Sequence, residues 1–269
     1  MPLNMIVCVK QVPDPETPPS SFRVDEAAKR VVPAAGVQPV ISQFDAIAVE
    51  AALRIRDAAG EGKITIISMG PAGARDVIKH SLAMGADEGV LLSDAAFEDG
   101  DSYTTALVLT TAIKKLGEFD AVFCGRQAVD WDMGVTGSAM AEILGLPTVT
   151  IAKDVQHKDG KLLVERVLAD GYETVEVPIP CLVTVSNEMG EPRYPKLQQI
   201  MAAARKQVTV WAASDLGLDA GQVGKQGVRL NLDRLFIPVV DSKCEFIEGE
   251  TPEEAANALA QKLRETKLV

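Results

Sequence analysis

The chain has 269 residues, a net charge of −11 and 47% hydrophobic residues, fractions that fit a soluble globular protein of one large domain plus an appendage. No basic stripe offsets the acidity, and the densest basic cluster is Arg205–Lys206. This argues against nucleic-acid binding, which needs Lys and Arg to displace counterions, and against an anionic membrane surface.

The longest uncharged stretch, Val31–Phe44, is broken by Pro33, Gly36 and Pro39. It does not read as a membrane span, which takes about 20 apolar residues. The first five residues lack a basic region and lead straight into an apolar run, so no signal peptide is expected and the default location is the cytoplasm. Cys8, Cys124, Cys181 and Cys244 form no CxxC pair, and there are only two histidines. Buried small hydrophobes are a better reading of the cysteines than a zinc site.

Met5–Val9 reads as a buried strand. Ser42–Ala59 reads as a helix, with Phe44, Ile47, Ala51, Ile55 and Ala58 on one face and Ser42 and Asp45 spaced as a capping box. Lys63–Ser68 is a strand, Ala72–Met84 a helix stopped at Gly85, and Gly89–Leu92 a short strand. Asp101 caps a helix running to about Lys115. Asp120–Cys124 is a strand, and a helix over about Met133–Leu144, with Asp132 as its N-cap, ends at Gly145. Thr148–Ile151 is a further strand. This alternation implies an α/β fold, a mostly parallel sheet with helices on both faces.

The pattern changes after Ala152. Val155–Val167 and Tyr172–Val177 read as antiparallel strands with turns at Asp159-Gly160 and Asp170-Gly171. Cys181–Ser186 is again a buried strand, Asn187–Ile200 a polar, proline-containing loop, and Val208–Trp211 a last strand. Residues 1–212 then form the α/β domain. Residues 213–269 form a C-terminal arm with one apolar segment, Leu235–Val240, and one amphipathic helix, about Pro252–Arg264.

No GxSxG, HExxH, P-loop or GxGxxG is present, and no Ser/His/Asp grouping has a familiar spacing. The scarcity of catalytic groups points to binding or carrying rather than acid–base work. The unusual segment is Cys124–Gly137, CGRQAVDWDMGVTG, which follows an apolar strand and precedes a helix. Its glycines allow close backbone approach to a ligand, and the helix start favours a phosphate. Read without a ligand, it is a polar strand-to-helix loop.

The segment GRQAVDWDMGVTG resembles the nucleotide-binding loop of the electron-transfer flavoprotein beta subunit, G(R/K)QAxDxDxxxxG. Further blocks of that family occur in order: VKQVPD after the first strand, FDAIAVEAA, MGP, LAMGAD, GYET and NEMGEPRYP. The resemblance implies an adenine-nucleotide alpha-hydrolase-like α/β fold in the smaller half of a heterodimer whose alpha subunit carries FAD. This subunit would hold AMP structurally, or, in electron-bifurcating members, a second FAD that accepts hydride from NADH. By motif, the nucleotide would contact Cys8, Ser42, Gln43, Phe44, Asp45, Met69 and the loop Gly125, Arg126, Gln127, Ala128, Val129, Asp130, Trp131, Asp132, Met133, Gly134, Val135 and Thr136.

Glu191–Ile200 resembles the loop with which the family docks acyl-CoA and related dehydrogenases, through Glu191, Pro192, Arg193, Tyr194, Leu197 and Ile200. Leu197 stands at its exposed leucine anchor; the alternative is a leucine packed beneath its own loop. The arm would pack on the alpha subunit. Three departures stand out: Trp131, the run Met133–Thr136, and the longer Asn187–Pro192. A universal-stress-protein-type regulatory module shares the sheet topology but should lack the docking loop and the arm.

Overall fold

The computed structural model describes residues 2–239 and 243–269. Nine strands of the described residues form the main sheet: β1 Leu3–Cys8, β2 Gly62–Met69, β3 Glu88–Leu92, β4 Ala121–Gly125, β5 Thr148–Lys158, β6 Lys161–Leu168, β7 Gly171–Pro178, β8 Cys181–Val185 and β9 Thr209–Trp211. Their order is β7-β6-β5-β8-β4-β1-β2-β3-β9. All neighbours are parallel except β5–β6 and β6–β7.

The helices are α1 Gln43–Ala59, α2 Arg75–Met84, α3 Ser102–Leu116, α4 Thr136–Leu144 and α5 Leu197–Arg205, with a C-terminal helix at Pro252–Glu265. Side chains alternate across each strand, so β1 sends Met5 and Val7 to one core and Ile6 and Cys8 to the other. The first core is closed by Ile47 and Leu53 of α1 and Ile78 of α2. The second is closed by Ala106 and Ile113 of α3 and Met140 of α4. Helices therefore cover both faces, and the central strands are apolar throughout, as burial on both sides requires.

The antiparallel extension follows its turn chemistry. Asp159 and Gly160 both take positive φ (50° and 75°), which suits a two-residue hairpin. The strand starting at Thr148 differs from the expectation: it does not stop at Ile151 but continues to Lys158. It bends at Ile151, a β-branched residue at φ 61° whose N–H bonds Thr184 Oγ1 at 3.0 Å. One strand thus serves both the parallel and the antiparallel part.

Two compact units divide the described chain. The first, through Asp233, includes the sheet. Residues beyond 212 add Leu216 and Val223 to its second core. The second unit, Val24–Arg30 with Arg234–Val269, contains the C-terminal helix. Thr251 caps that helix by accepting from the Glu254 N–H, Pro252 opens it, and acids lead while basic residues close it. Phe236, Ile237, Val239 and Phe246 are exposed. Of the apolar segment Leu235–Val240, Val240 lies outside the described residues. Among the described residues no helix is long and apolar enough to cross a membrane.

Candidate functional site

From β1 the chain builds β2 and β3 to one side and β4 to the other. In open α/β sheets the carboxyl ends of the strands at such a reversal border a ligand crevice. Cys8 ends β1 and Gly125 ends β4. A two-residue antiparallel pairing of Gln11–Val12 with Val40–Ile41 returns the chain to this point, and the Ser42 N–H bonds the Lys10 carbonyl at 2.9 Å. The first turn of α1, with Gln43, Phe44 and Asp45, is thereby laid over both strand ends.

Asp45 does not complete a capping box with Ser42, contrary to expectation. Ser42 occupies the N-cap but its side chain caps nothing. The buried Asp45 carboxylate instead accepts the Lys10 N–H through Oδ2 and the Gly125 N–H through Oδ1, each at 2.9 Å. Two donors from strand ends satisfy a buried carboxylate better than one helical N–H would. Burial pushes the Asp45 carboxyl up to about 7, although both N–H donors and the Lys10 charge pull the other way.

Lys10 in turn pairs with Asp130 at 2.7 Å, and so offsets a carboxylate that a bound phosphate would otherwise meet. Ser42 Oγ and Ser68 Oγ, the latter one residue before Met69, are buried with no hydrogen-bond partner. Met69 closes β2, one strand over from Cys8, and is half-buried. Cys8 and Cys124 are buried on the same face. Burial raises both thiols, helped by the Asp45 charge, so they are packing groups rather than nucleophiles.

Gly125 is set by close approach: a Cβ there would sit 2.6 Å from Phe44 Cβ and 2.7 Å from Asp45 Oδ1. After it, the Arg126 N–H bonds the Val185 carbonyl at 2.8 Å, and its guanidinium lies 5.2 Å from the centre of the Phe44 ring. Gln127 donates to Asp132 Oδ1 at 2.9 Å, and the Asp132 N–H bonds Ala128 O at 2.9 Å. These bonds fold Ala128, Val129 and Asp130 into a tight turn.

The helix expected from Met133 begins at Thr136, and Asp132 is not its cap; Val135 stands at the N-cap without a side-chain bond. Asp132 (φ 49°) and Gly134 (φ 65°) are left-handed, which a helix cannot accommodate. The delay leaves Trp131, Met133 and Val135 about half exposed in the segment between β4 and α4. All the residues singled out for nucleotide contact thus gather at one end of the sheet, around β1, β4 and the start of α1. The side chains there offer hydrogen bonds and apolar surface but no nucleophile–base pair. Among the described residues no group of three or more His, Cys, Asp or Glu is placed to hold a metal ion.

The second set of residues does not join the crevice. Asn187–Met189 is a short helical turn, the chain then runs extended, and α5 begins at Leu197. The expected loop through Ile200 is therefore corrected: Leu197 and Ile200 are helical. The sequence reads as loop here because the helix buries only Ala203, so its apolar residues show no core-facing stripe. Leu197 is 72% exposed and Tyr194 93%, which excludes a leucine packed beneath its own loop. Ile200 and Met201 are exposed beside them. Glu191 is exposed, while Pro192 and Arg193 are half-buried. Sequence reasoning missed the groups that hold this segment, Glu50, Arg54 and Lys79. The only visible signal was the i,i+4 spacing of Glu50 and Arg54.

Residues 30–216 match the electron transfer flavoprotein domain. The chain is 40% identical to an electron transfer flavoprotein subunit beta of Thermoanaerobacterium thermosaccharolyticum, over 95% of this chain and 96% of that one. It is 37% identical to the caffeyl-CoA reductase-Etf complex subunit CarD of Acetobacterium woodii, over 99% and 100%. It is 33% identical to the acryloyl-CoA reductase electron transfer subunit gamma of Anaerotignum propionicum, again over 99% and 100%. The domain match over most of the chain and the near full-length similarity agree with the parallel sheet and its surrounding helices: the chain belongs to the electron transfer flavoprotein family, as a beta-type subunit.

Proposed function

We propose that this chain pairs with an alpha subunit carrying FAD, holds AMP in the crevice at the ends of β1 and β4, and docks an acyl-CoA or related dehydrogenase. The observation that carries the nucleotide reading is the buried Ser42 hydroxyl. It stands without a partner where α1 meets the strand ends, the kind of polar atom a ligand satisfies. The residues fit such a ligand: Ser42, Gln43 and Phe44 at the start of α1, the loop Gly125–Thr136 folded back over it, and Asp130 neutralised by Lys10. Asp45 holds the walls rather than the ligand, since both its oxygens are engaged by backbone. AMP would supply no redox chemistry; the alpha-subunit FAD would carry the electrons. Of the expected arm 213–269, residues 213–233 belong to the first unit, so residues 234–269 would serve as the arm that packs on the alpha subunit.

A second reading places FAD in this crevice, accepting hydride from NADH. It is favoured by the half-exposed apolar run Trp131, Met133 and Val135, a surface for a further ring. The reductase complexes named among the relatives agree with a partner that acts on CoA thioesters. The test is to co-purify the heterodimer, denature it and identify the released nucleotides. One AMP and one FAD support the first reading, and two FAD and no AMP support the second. Only the alpha-subunit FAD would overturn the crevice assignment.

A further inference from the structure

Residues 190–196 belong to no helix or strand. Pro192 and Pro195 bring no N–H, so this stretch cannot join a regular ladder. Side chains of α1 take the place of one. Arg54 donates to the Met189 carbonyl at 2.8 Å and to the Glu191 carbonyl at 3.4 Å. Glu50 accepts the Arg193 backbone N–H at 3.1 Å. Met189, Glu191 and Arg193 are alternate residues, so α1 grips one edge of the chain at every second position.

Glu50 also accepts Arg193 Nε at 2.8 Å, Arg193 Nη2 at 3.2 Å and Arg54 Nε at 3.0 Å. Arg193 Nη1 reaches Asp57 at 2.8 Å, so two guanidiniums balance two carboxylates. Glu50 is 5% exposed, and a carboxylate so buried persists only when its lone pairs are filled, as these four donors do.

The far end of the segment is held as firmly. Lys79 of α2 donates to the carbonyls of Ala203 and Ala204, each at 3.0 Å, and to that of Lys206, all at the C-terminus of α5. Lys206 donates back to the Ala86 and Asp87 carbonyls just after α2, at 2.8 and 3.1 Å. Between the two anchors stand the exposed Tyr194, Leu197, Ile200 and Met201. Since α5 buries only Ala203, its own packing does little to fix where those side chains are presented.

We infer that Glu50 and Lys79 are positioning residues for dehydrogenase docking: one from each of two helices, they pre-set the apolar surface formed by Tyr194, Leu197, Ile200 and Met201. The inference rests on the docking reading above. Pre-organisation lowers the ordering cost of association, so its loss appears in encounter affinity and not in electron transfer within the formed complex.

The experiment uses the intact heterodimer carrying Glu50→Gln, Lys79→Met, Lys79→Arg or Leu197→Ala. An acyl-CoA dehydrogenase reduced by its acyl-CoA is the electron donor. Amide exchange over residues 189–206 and tryptic cleavage after Arg193 and Lys196 report the segment itself. Glu50→Gln should raise exchange and cleavage roughly tenfold and KM for the heterodimer by a similar factor, the scale of one charged hydrogen bond, with kcat little changed. Lys79→Met should act in the same direction, with Lys79→Arg restoring both readouts; this arm decides the matter if Glu50→Gln does not fold. Unchanged exchange in both variants would overturn the inference. So would faster exchange with unchanged KM while Leu197→Ala raises KM, which leaves the docking reading standing. If Leu197→Ala also leaves KM unchanged, the docking reading falls and the inference with it.

Discussion

The Asp45 carboxylate, in the first turn of α1, accepts the backbone N–H of Gly125, at the end of β4, at 2.9 Å. Its other oxygen takes the Lys10 N–H just beyond β1, so one side chain ties two strand ends to a helix. Burial raises its carboxyl from 3.8 to about 7, so between these values the folded protein holds a proton that the unfolded chain has released. Its contribution to stability is therefore full below about 3.8 and is lost as pH rises through about 7. Denaturant unfolding of the wild type and Asp45→Asn at several pH values checks this. The wild type should lose stability relative to the variant across that window, and the difference should level off above it. Parallel pH profiles would mean that Asp45 is ionised in the fold throughout.

Two glycines of the loop should fail for different reasons. At Gly125 a Cβ would meet Phe44 Cβ at 2.6 Å and the Phe44 carbonyl carbon at 2.9 Å. Gly125→Ala should cost about 1–3 kcal/mol by overpacking and displace the first turn of α1, lowering the nucleotide content of purified heterodimer. At Gly134 the nearest atom would be 3.7 Å away, but φ is 65°. Gly134→Ala should cost about 1 kcal/mol by backbone strain alone. Calorimetry and nucleotide analysis separate the two; equal nucleotide loss in both would contradict the steric account.

Exposure makes Leu197 a clean probe. A side chain 72% exposed has little burial to lose, so Leu197→Ala should change stability by less than about 0.5 kcal/mol. Reduction of the heterodimer by an acyl-CoA dehydrogenase should slow, with flavin content unchanged. A drop in melting temperature of several degrees would show that the leucine packs in the assembled protein and is not offered to a partner.

Glu50 should behave opposite to Asp45 in acid. Burial works against its ionisation, but the Arg193 side chain and N–H and the Arg54 side chain outweigh that and hold its carboxyl below 4.5. Its stabilisation is present above the unfolded value and is lost as pH falls through the folded one. Acid titration below about pH 4.5 should therefore release the Glu191–Arg205 segment, read as faster amide exchange, and Glu50→Gln should show that faster exchange already at neutral pH.

Much of the architecture was legible in the chain because its central strands are buried on both faces. That burial leaves near-continuous apolar runs such as Ile64–Ile67 and Ala121–Phe123, and helices between them must cross the sheet. Asp159-Gly160 likewise announced its hairpin, since few residue pairs accept two positive φ values. Asp101 announced its cap, which its carboxylate makes to the Thr104 N–H at 2.9 Å. The boundaries at which the structure departs from the sequence pattern share a cause. Asp132 reads as a cap but lies left-handed, held by Gln127 and Ala128. Leu197–Arg205 reads as loop because a helix that buries one alanine leaves no periodic signature.

The sequence by itself determined an acidic α/β protein with alternating strands and helices, and a GRQAVDWDMG loop after a buried strand. Composition, periodicity and turn chemistry are local properties, and a chain carries them without knowing its neighbours. Only the tertiary structure decided that Asp45 joins β1 to β4 instead of capping α1, that the Ser42 hydroxyl is left buried without a partner, and that Glu50 and Lys79 grip a segment more than a hundred residues away. Those roles depend on which donors folding brings within about 3 Å of a buried group, and sequence spacing carries no record of that distance.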